Sequence, residues 1–194
     1  MKARIIILFV AIFAFTACSK DDDSPTEKTN YPEENPLALY LEKSGFNQET
    51  SLYIGDSYSE QGFRFKPKVK GIIKAVTLKV PVNSNNVRVT IWNADTKGVI
   101  RTIIIPNAVA HTEKRQEIEP LEVMPTITYL ISFNEKNSYT HNKSDNSKAI
   151  YPIDAENITV LGFNYGNGQS PYYPNFPGLS SYWGDVSFTF QQTE

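Results

Sequence analysis

From about Ser51 onward the chain alternates apolar and polar residues with a period of two, and the apolar positions are mostly β-branched or aromatic. Successive side chains of a strand point to opposite faces, so this pattern predicts half-buried strands set between the Asn, Gly and Pro clusters. Val76, Leu78 and Val80 share one parity against Ala75, Thr77 and Lys79, and Val87, Val89 and Ile91 oppose Arg88, Thr90 and Trp92. The Asn-rich segment from Pro81 to Asn86 is expected to form a hairpin turn between these two strands. Residues 93–98 are expected to form a second turn leading into Val99 to Ile105. Ile127, Tyr129, Ile131 and Phe133 mark the apolar face of a later strand, and Val186, Phe188 and Phe190 that of the last. Ile158 to Tyr165 is apolar on both parities, which predicts a strand covered on both sides. Only Leu37 to Ser44 has helical character. About eight or nine short strands at this spacing predict an all-β fold, an antiparallel β-sandwich of jelly-roll type over residues 37–194.

The pattern at the N-terminus is different. Lys2 and Arg4 precede an unbroken apolar run from Ile5 through Phe15, and the small residues Thr16 and Ala17 lead to Cys18. This is the layout of a secretory leader over residues 1–17, too short for a membrane-spanning helix of roughly 20 residues. Phe15-Thr16-Ala17-Cys18 resembles the lipobox of bacterial lipoproteins, and the resemblance implies cleavage before Cys18 and lipid attachment to its sulfur. Several acyl chains on one residue make such an anchor effectively permanent, since each buried methylene contributes about 0.8 kcal/mol. Ser19-Lys20-Asp21-Asp22-Asp23 follows, and is similar to the acidic export signal of Bacteroidetes-type surface lipoproteins. That likeness implies an outer-membrane location facing the cell exterior. The polar, proline-bearing stretch to Pro36 is expected to be a disordered tether, so that residues 18–36 form the anchor, tag and linker.

Composition narrows the functions available. The 194 residues are 40% hydrophobic, 12% aromatic and 21% charged, which suits one globular core. Acidic residues slightly outnumber basic ones, and no basic patch stands out, which argues against a nucleic-acid partner. Cys18 is the only cysteine, so the folded part offers neither a disulfide nor a thiolate metal site. His111 and His141 are widely separated in polar surroundings, and Asp21 to Asp23 lack the spaced ligands and turn glycine of a calcium loop. No metal and no cofactor are expected.

Five segments resemble a bacterial β-sandwich domain family of unknown function, often found beside carbohydrate-active or adhesive modules. They are Gly62-Phe63-Arg64-Phe65, Gly71-Ile72-Ile73-Lys74-Ala75-Val76, Val89-Thr90-Ile91-Trp92-Asn93, Thr128-Tyr129-Leu130-Ile131-Ser132-Phe133 and Tyr182-Trp183-Gly184-Asp185-Val186-Ser187-Phe188-Thr189. The resemblance spans Gly62 to Phe190 and departs from the family after Phe133, in the polar stretch Asn134 to Ser147. It implies a fold and a neighbourhood but no catalytic residue.

The loop from Gly166 to Gly178 concentrates aromatic, amide and proline residues. A sugar ring presents an apolar C–H face and a rim of hydroxyls, which flat aromatic rings and amides match respectively. Tyr172, Tyr173 and Phe176, with Tyr182, Trp183 and Trp92, are the candidate ligand-binding residues. The competing reading has these rings capping the core. Tyr139 and His141 lie in a polar loop that a ligand site can recruit. Glu117 with Glu119 and Asp154 with Glu156 are spaced to share a strand face, as paired carboxylates of a glycoside hydrolase would. Nothing around them signals the burial a general acid requires, so no catalytic residue is assigned. The expected function is a lipid-anchored, non-catalytic surface module binding glycan or another extracellular ligand. A sandwich that docks a protein partner is the alternative, and an enzyme on the same scaffold is the third reading.

Overall fold

The computed structural model describes residues 30–53 and 56–194 of the chain. The leader, Cys18 and the acidic tag Ser19 to Asp23 lie outside the described residues. The folded part begins earlier than the proline pattern predicted, because β1 (Glu33–Glu34) already pairs with the last strand. Gln191 Nε2 reinforces it by donating to the Tyr31 carbonyl at 2.6 Å. Helix α1 (Pro36–Ser44) follows where it was expected. Its cap is Asn35, whose Oδ1 accepts from the Leu37 amide at 3.2 Å, proline occupies its first turn, and Gly45 at φ 79 closes it.

The remaining elements are strands: β2 (Gln48–Tyr53), β3 (Ser59–Pro67), β4 (Gly71–Lys79), β5 (Ser84–Asn93), β6 (Val99–Ala108) and β7 (Lys114–Val123). Then come β8 (Tyr129–Glu135), β9 (Asn137–Asn142), β10 (Ile153–Ala155), β11 (Ile158–Asn167), β12 (Phe176–Gly178), β13 (Ser181–Trp183) and β14 (Asp185–Gln192). One sheet has the order β1-β14-β4-β7, and the facing sheet contains β3-β8-β5-β6. That pair of orders is a jelly roll, so the predicted fold class is correct. Strands β11 and β10 extend the second sheet beyond β3, β12 pairs with β11, and β13-β9-β2 form a third small sheet. The described residues thus hold 14 strands, more than the eight or nine expected, because short bent extensions such as β9 and β13 lack a full alternating pattern of their own.

The core is the seam between the two sheets. Phe63 and Phe65 of β3 meet Phe188 of β14 with ring centroids 6.1 and 4.4 Å apart, and Val89, Ile91, Ile131 and Phe133 complete the layer. Each such side chain contributes about 1.5–3 kcal/mol on burial. Two local expectations fail for identifiable reasons. Pro81 to Asn86 is no hairpin turn: residues 80–83 carry the chain from one sheet to the other, and Ser84 to Asn86 already belong to β5. The mixed parity of β11 comes from a bulge between Val160 and Gly162, which moves the inward register from Ile158 and Val160 to Phe163.

Candidate functional site

The outward-pointing side chains of β3, β8 and β5 are more polar than a hidden sheet face usually is. Register aligns them in rows, Glu60 with Asn134 and Arg88, and Gly62 with Ser132 and Thr90. Glu60 is fully buried. Its Oε1 accepts from Ser132 Oγ at 2.6 Å, and its Oε2 from Arg88 Nη2 at 2.8 Å. Ser132 Oγ in turn accepts from Trp92 Nε1 at 2.8 Å. Burial pushes the Glu60 acid above the ordinary carboxylate range, opposed by the hydrogen bonds from Ser132 and Arg88 and by the Arg88 charge.

This face is hidden by the aromatic loop, which lies flat across it rather than over the end of the sandwich. Strand side chains hold the loop by its carbonyls: Asn134 Nδ2 donates to Gly168 O at 2.9 Å, Arg88 Nη1 to Gln169 O at 2.9 Å, and Asn164 Nδ2 to Pro174 O at 3.0 Å. The Gly168 amide donates to Tyr58 O at 2.8 Å. Tyr172 wedges against Gly166, where a Cβ would come within 2.7 Å of its ring. Lys97 Nζ lies 5.7 Å from the centroid of the Tyr173 ring and donates to Asn175 Oδ1 at 2.8 Å.

The expected platform is therefore divided. Tyr182 and Trp92 are buried and correct the reading that made them ligand-binding: Tyr182 packs on Tyr40 and Phe163 in the core, and Trp92 lies beneath Tyr173 with ring centroids 5.9 Å apart. Trp92 does sit on the outward parity, and the loop supplies the cover. Tyr172 and Tyr173 are half-buried in the loop itself. Phe176 is 58% exposed and begins a ridge of rings, 5.8 Å from Tyr165, which is 4.9 Å from Trp183. The sequence pattern did not mark Tyr165, because it belongs to a strand read as wholly covered.

Beside the loop is a cavity of about 210 Å³ lined by Tyr58, Asn85, Asn86, Arg88, Asn134 and Gln169, with Glu135 at its wall. Asn85, Asn86 and Gln169 are exposed, so their amides are available to solvent or a ligand. Asn86 takes φ 55, a left-handed backbone that asparagine tolerates better than most residues. The cavity is smaller than the roughly 300 Å³ at which pockets for drug-sized ligands begin, a scale that suits one polar ring. These amides come from the start of β5, the end of β8 and the aromatic loop, and no sequence spacing linked them.

The carboxylate pairs do not come together as a catalytic couple. Glu117 is bonded to Arg115 at 2.8 Å on an exposed strand and Glu119 is exposed. Asp154 pairs with Lys68 at 3.2 Å, while Glu156 lies in the tight turn after β10 at φ 54, outside the strand alternation assumed for it. The two histidines, expected to be unrelated, reach one connected group: His111 Nδ1 lies 2.6 Å from Tyr139 Oη, Lys79 Nζ is 4.4 Å from the Tyr139 ring centroid, and Lys79 is 3.9 Å from Asp185, the partner of His141. Tyr139 and His141 are buried strand residues of β9, not loop residues. Among the described residues, Glu49, His141 and Asp185 each place one ligand atom within 4.8 Å of the others.

Comparison of the chain with protein-family models and with curated proteins finds no match in either.

Proposed function

We propose that this chain is a lipid-anchored module of the outer cell surface that binds glycan without transforming it. The observation that carries the reading is the amide-lined cavity of about 210 Å³ at Asn85, Asn86, Asn134 and Gln169, next to a loop held rigid by the strands below it. Amides both donate and accept, which suits the alternating demands of sugar hydroxyls, and Arg88 adds a fixed donor. A loop already pinned in place loses little conformational entropy when a ligand arrives, so weak individual contacts can sum to useful affinity. The ridge of Phe176, Tyr165 and Trp183 offers a flat apolar surface of the kind that meets the C–H face of a sugar. The leader pattern and Cys18 support the anchor, and Asp21 to Asp23 support display on the outer face.

One observation favours protein docking as the second reading. Strand β6 lies at the edge of its sheet and exposes Val99, Ile100 and Ile104, a geometry open to strand addition by a partner. A glycan array probed with the full-length chain in detergent separates the two. Binding to at least one class of glycan is expected. A folded chain that binds none, yet associates with a protein through β6, contradicts the glycan reading.

A further inference from the structure

A second, unrelated cavity of about 330 Å³ lies between α1 and strands β2, β4, β9 and β14, and shares no residue with the polar cavity described above. Leu37 and Leu41 of α1 form its apolar side. Its polar side carries Glu49, Glu113, Asp185, Lys79 and His141. Three carboxylates stand against one ammonium there, so the wall has an excess of negative charge.

We propose that Glu49, His141 and Asp185 form a binding site for a divalent transition-metal ion, zinc being the best fit, with the Lys79 ammonium as its built-in competitor. The ligands arrive on three strands and are held from behind. His141 is cross-strand partner to both Glu49 on β2 and Tyr182 on β13, and its ring stacks on Tyr182 with centroids 5.9 Å apart. Tyr182 is fully buried in the aromatic core, which fixes the imidazole plane. Asp185 directly follows Gly184, whose φ of 95 and closeness to Phe133 leave no room for a side chain, so the carboxylate is set by a constrained backbone.

The donor set decides the class of ion. One imidazole with two carboxylates suits zinc and its first-row neighbours; calcium and magnesium take oxygen ligands and would leave the imidazole unused. Around zinc, ligand atoms at roughly 2.0–2.2 Å from the metal lie about 3–3.5 Å apart. The present spread of 4.8 Å closes by rotation of Glu49, the exposed member of the three, while His141 Nε2 and Asp185 Oδ1, now 2.5 Å apart, open slightly to admit the ion. Nε2 ligates without its proton, with the neutral ring carrying its hydrogen on Nδ1.

Lys79 marks where the positive charge sits without the ion. Its Nζ lies 3.3 Å from Glu49 Oε2 and 3.9 Å from Asp185 Oδ2. When the metal enters, the ammonium retains the face of Tyr139, whose hydroxyl is bonded to His111 at 2.6 Å. One Nζ position thus serves Glu49, Asp185 and the Tyr139 ring together, and the ion competes with it for the two carboxylates only.

The full-length chain in detergent, stripped with chelator, is titrated with zinc chloride by calorimetry, and with cobalt(II) by visible absorption as a report on imidazole and carboxylate coordination. One zinc per chain is expected. Glu49→Gln alters an exposed side chain and should leave melting intact while weakening zinc at least about tenfold. Lys79→Met should strengthen it by about tenfold or more, because the competitor is gone. Failure of both the wild-type chain and Lys79→Met to bind zinc overturns the proposal, as does equal binding by wild type, Glu49→Gln and His141→Gln.

Discussion

Glu60 is a carboxylate placed where water does not reach, and the structure keeps it there with an ion pair and a serine hydroxyl. A residue held that way costs stability whenever it is charged, unless its partners compensate fully. Burial raises its pKa above the ordinary value of 4.5, with the hydrogen bonds from Ser132 and Arg88 opposing. A raised acid binds more protons in the folded state than in the unfolded one, so the group's contribution to stability falls as pH rises through that window and recovers as pH is lowered back towards 4.5. The melting temperature of wild type relative to Glu60→Gln should therefore increase as pH is lowered from neutral. Thermal denaturation across that range reads it, and a flat or opposite trend contradicts the burial argument. In the sequence Glu60 is only a polar residue before a strand, because nothing local announces the loop that covers it. The same holds for Trp92: its polar parity was legible and correct, yet its exposure depended on residues some eighty positions away. Tyr182 shows the reverse error, since an aromatic beside a promising loop was read by its neighbourhood when its strand parity already pointed inward.

At the scale of elements, the long strands were legible because burial on one side imposes a strict period of two. Val87, Val89 and Ile91, and Val186, Phe188 and Phe190, occupy the core as the pattern required. The helix was legible too, with Asn35 and Pro36 before it and Gly45 after it. What the pattern could not convey were bulges and sheet changes. A bulge slips parity within one strand, as between Ile73 and Ala75 of β4, and a crossing such as the one within Pro81 to Asn86 has the same residue types as a hairpin. The aromatic loop belongs to this scale, since its rigidity comes from the strand side chains that bond its carbonyls. Gly166 is where the Tyr172 ring of the loop seats directly on the strand backbone. Gly166→Val should push Tyr172 off the sheet and loosen the loop while the core strands remain paired. Hydrogen exchange of the Gly168 amide, which donates to Tyr58 O, should then accelerate markedly relative to amides of β8. Unchanged protection at Gly168 would mean that the loop is held by something other than this contact.

The whole molecule joins a jelly roll, whose described part begins near residue 30, to an N-terminal segment with the pattern of a lipid anchor. On the proposed reading the domain stands off the membrane by a short polar tether, with its polar cavity and ring ridge free to meet extracellular polymer. Cys18→Ala should abolish incorporation of labelled fatty acid and release the protein from the membrane fraction; label retained by the variant would exclude the anchor. Fold class was legible at this scale because many strands vote together, whereas the polar cavity was not, since it assembles Asn85 and Asn86, Asn134 and Gln169 from separate parts of the chain. Tertiary proximity of that kind leaves no periodic trace. The central claim is that those amides and the exposed ring of Phe176 bind glycan, and calorimetric titration of a glycan identified on the array tests it most directly. Asn85→Ala and Phe176→Ala change exposed side chains, so both should melt within a few degrees of wild type, in contrast to the loss of about 3–5 kcal/mol expected on truncating a buried ring such as Tyr182. The account predicts that each of these two variants weakens binding at least about tenfold, equivalent to about 1.4 kcal/mol. Wild-type affinity in both variants would contradict it.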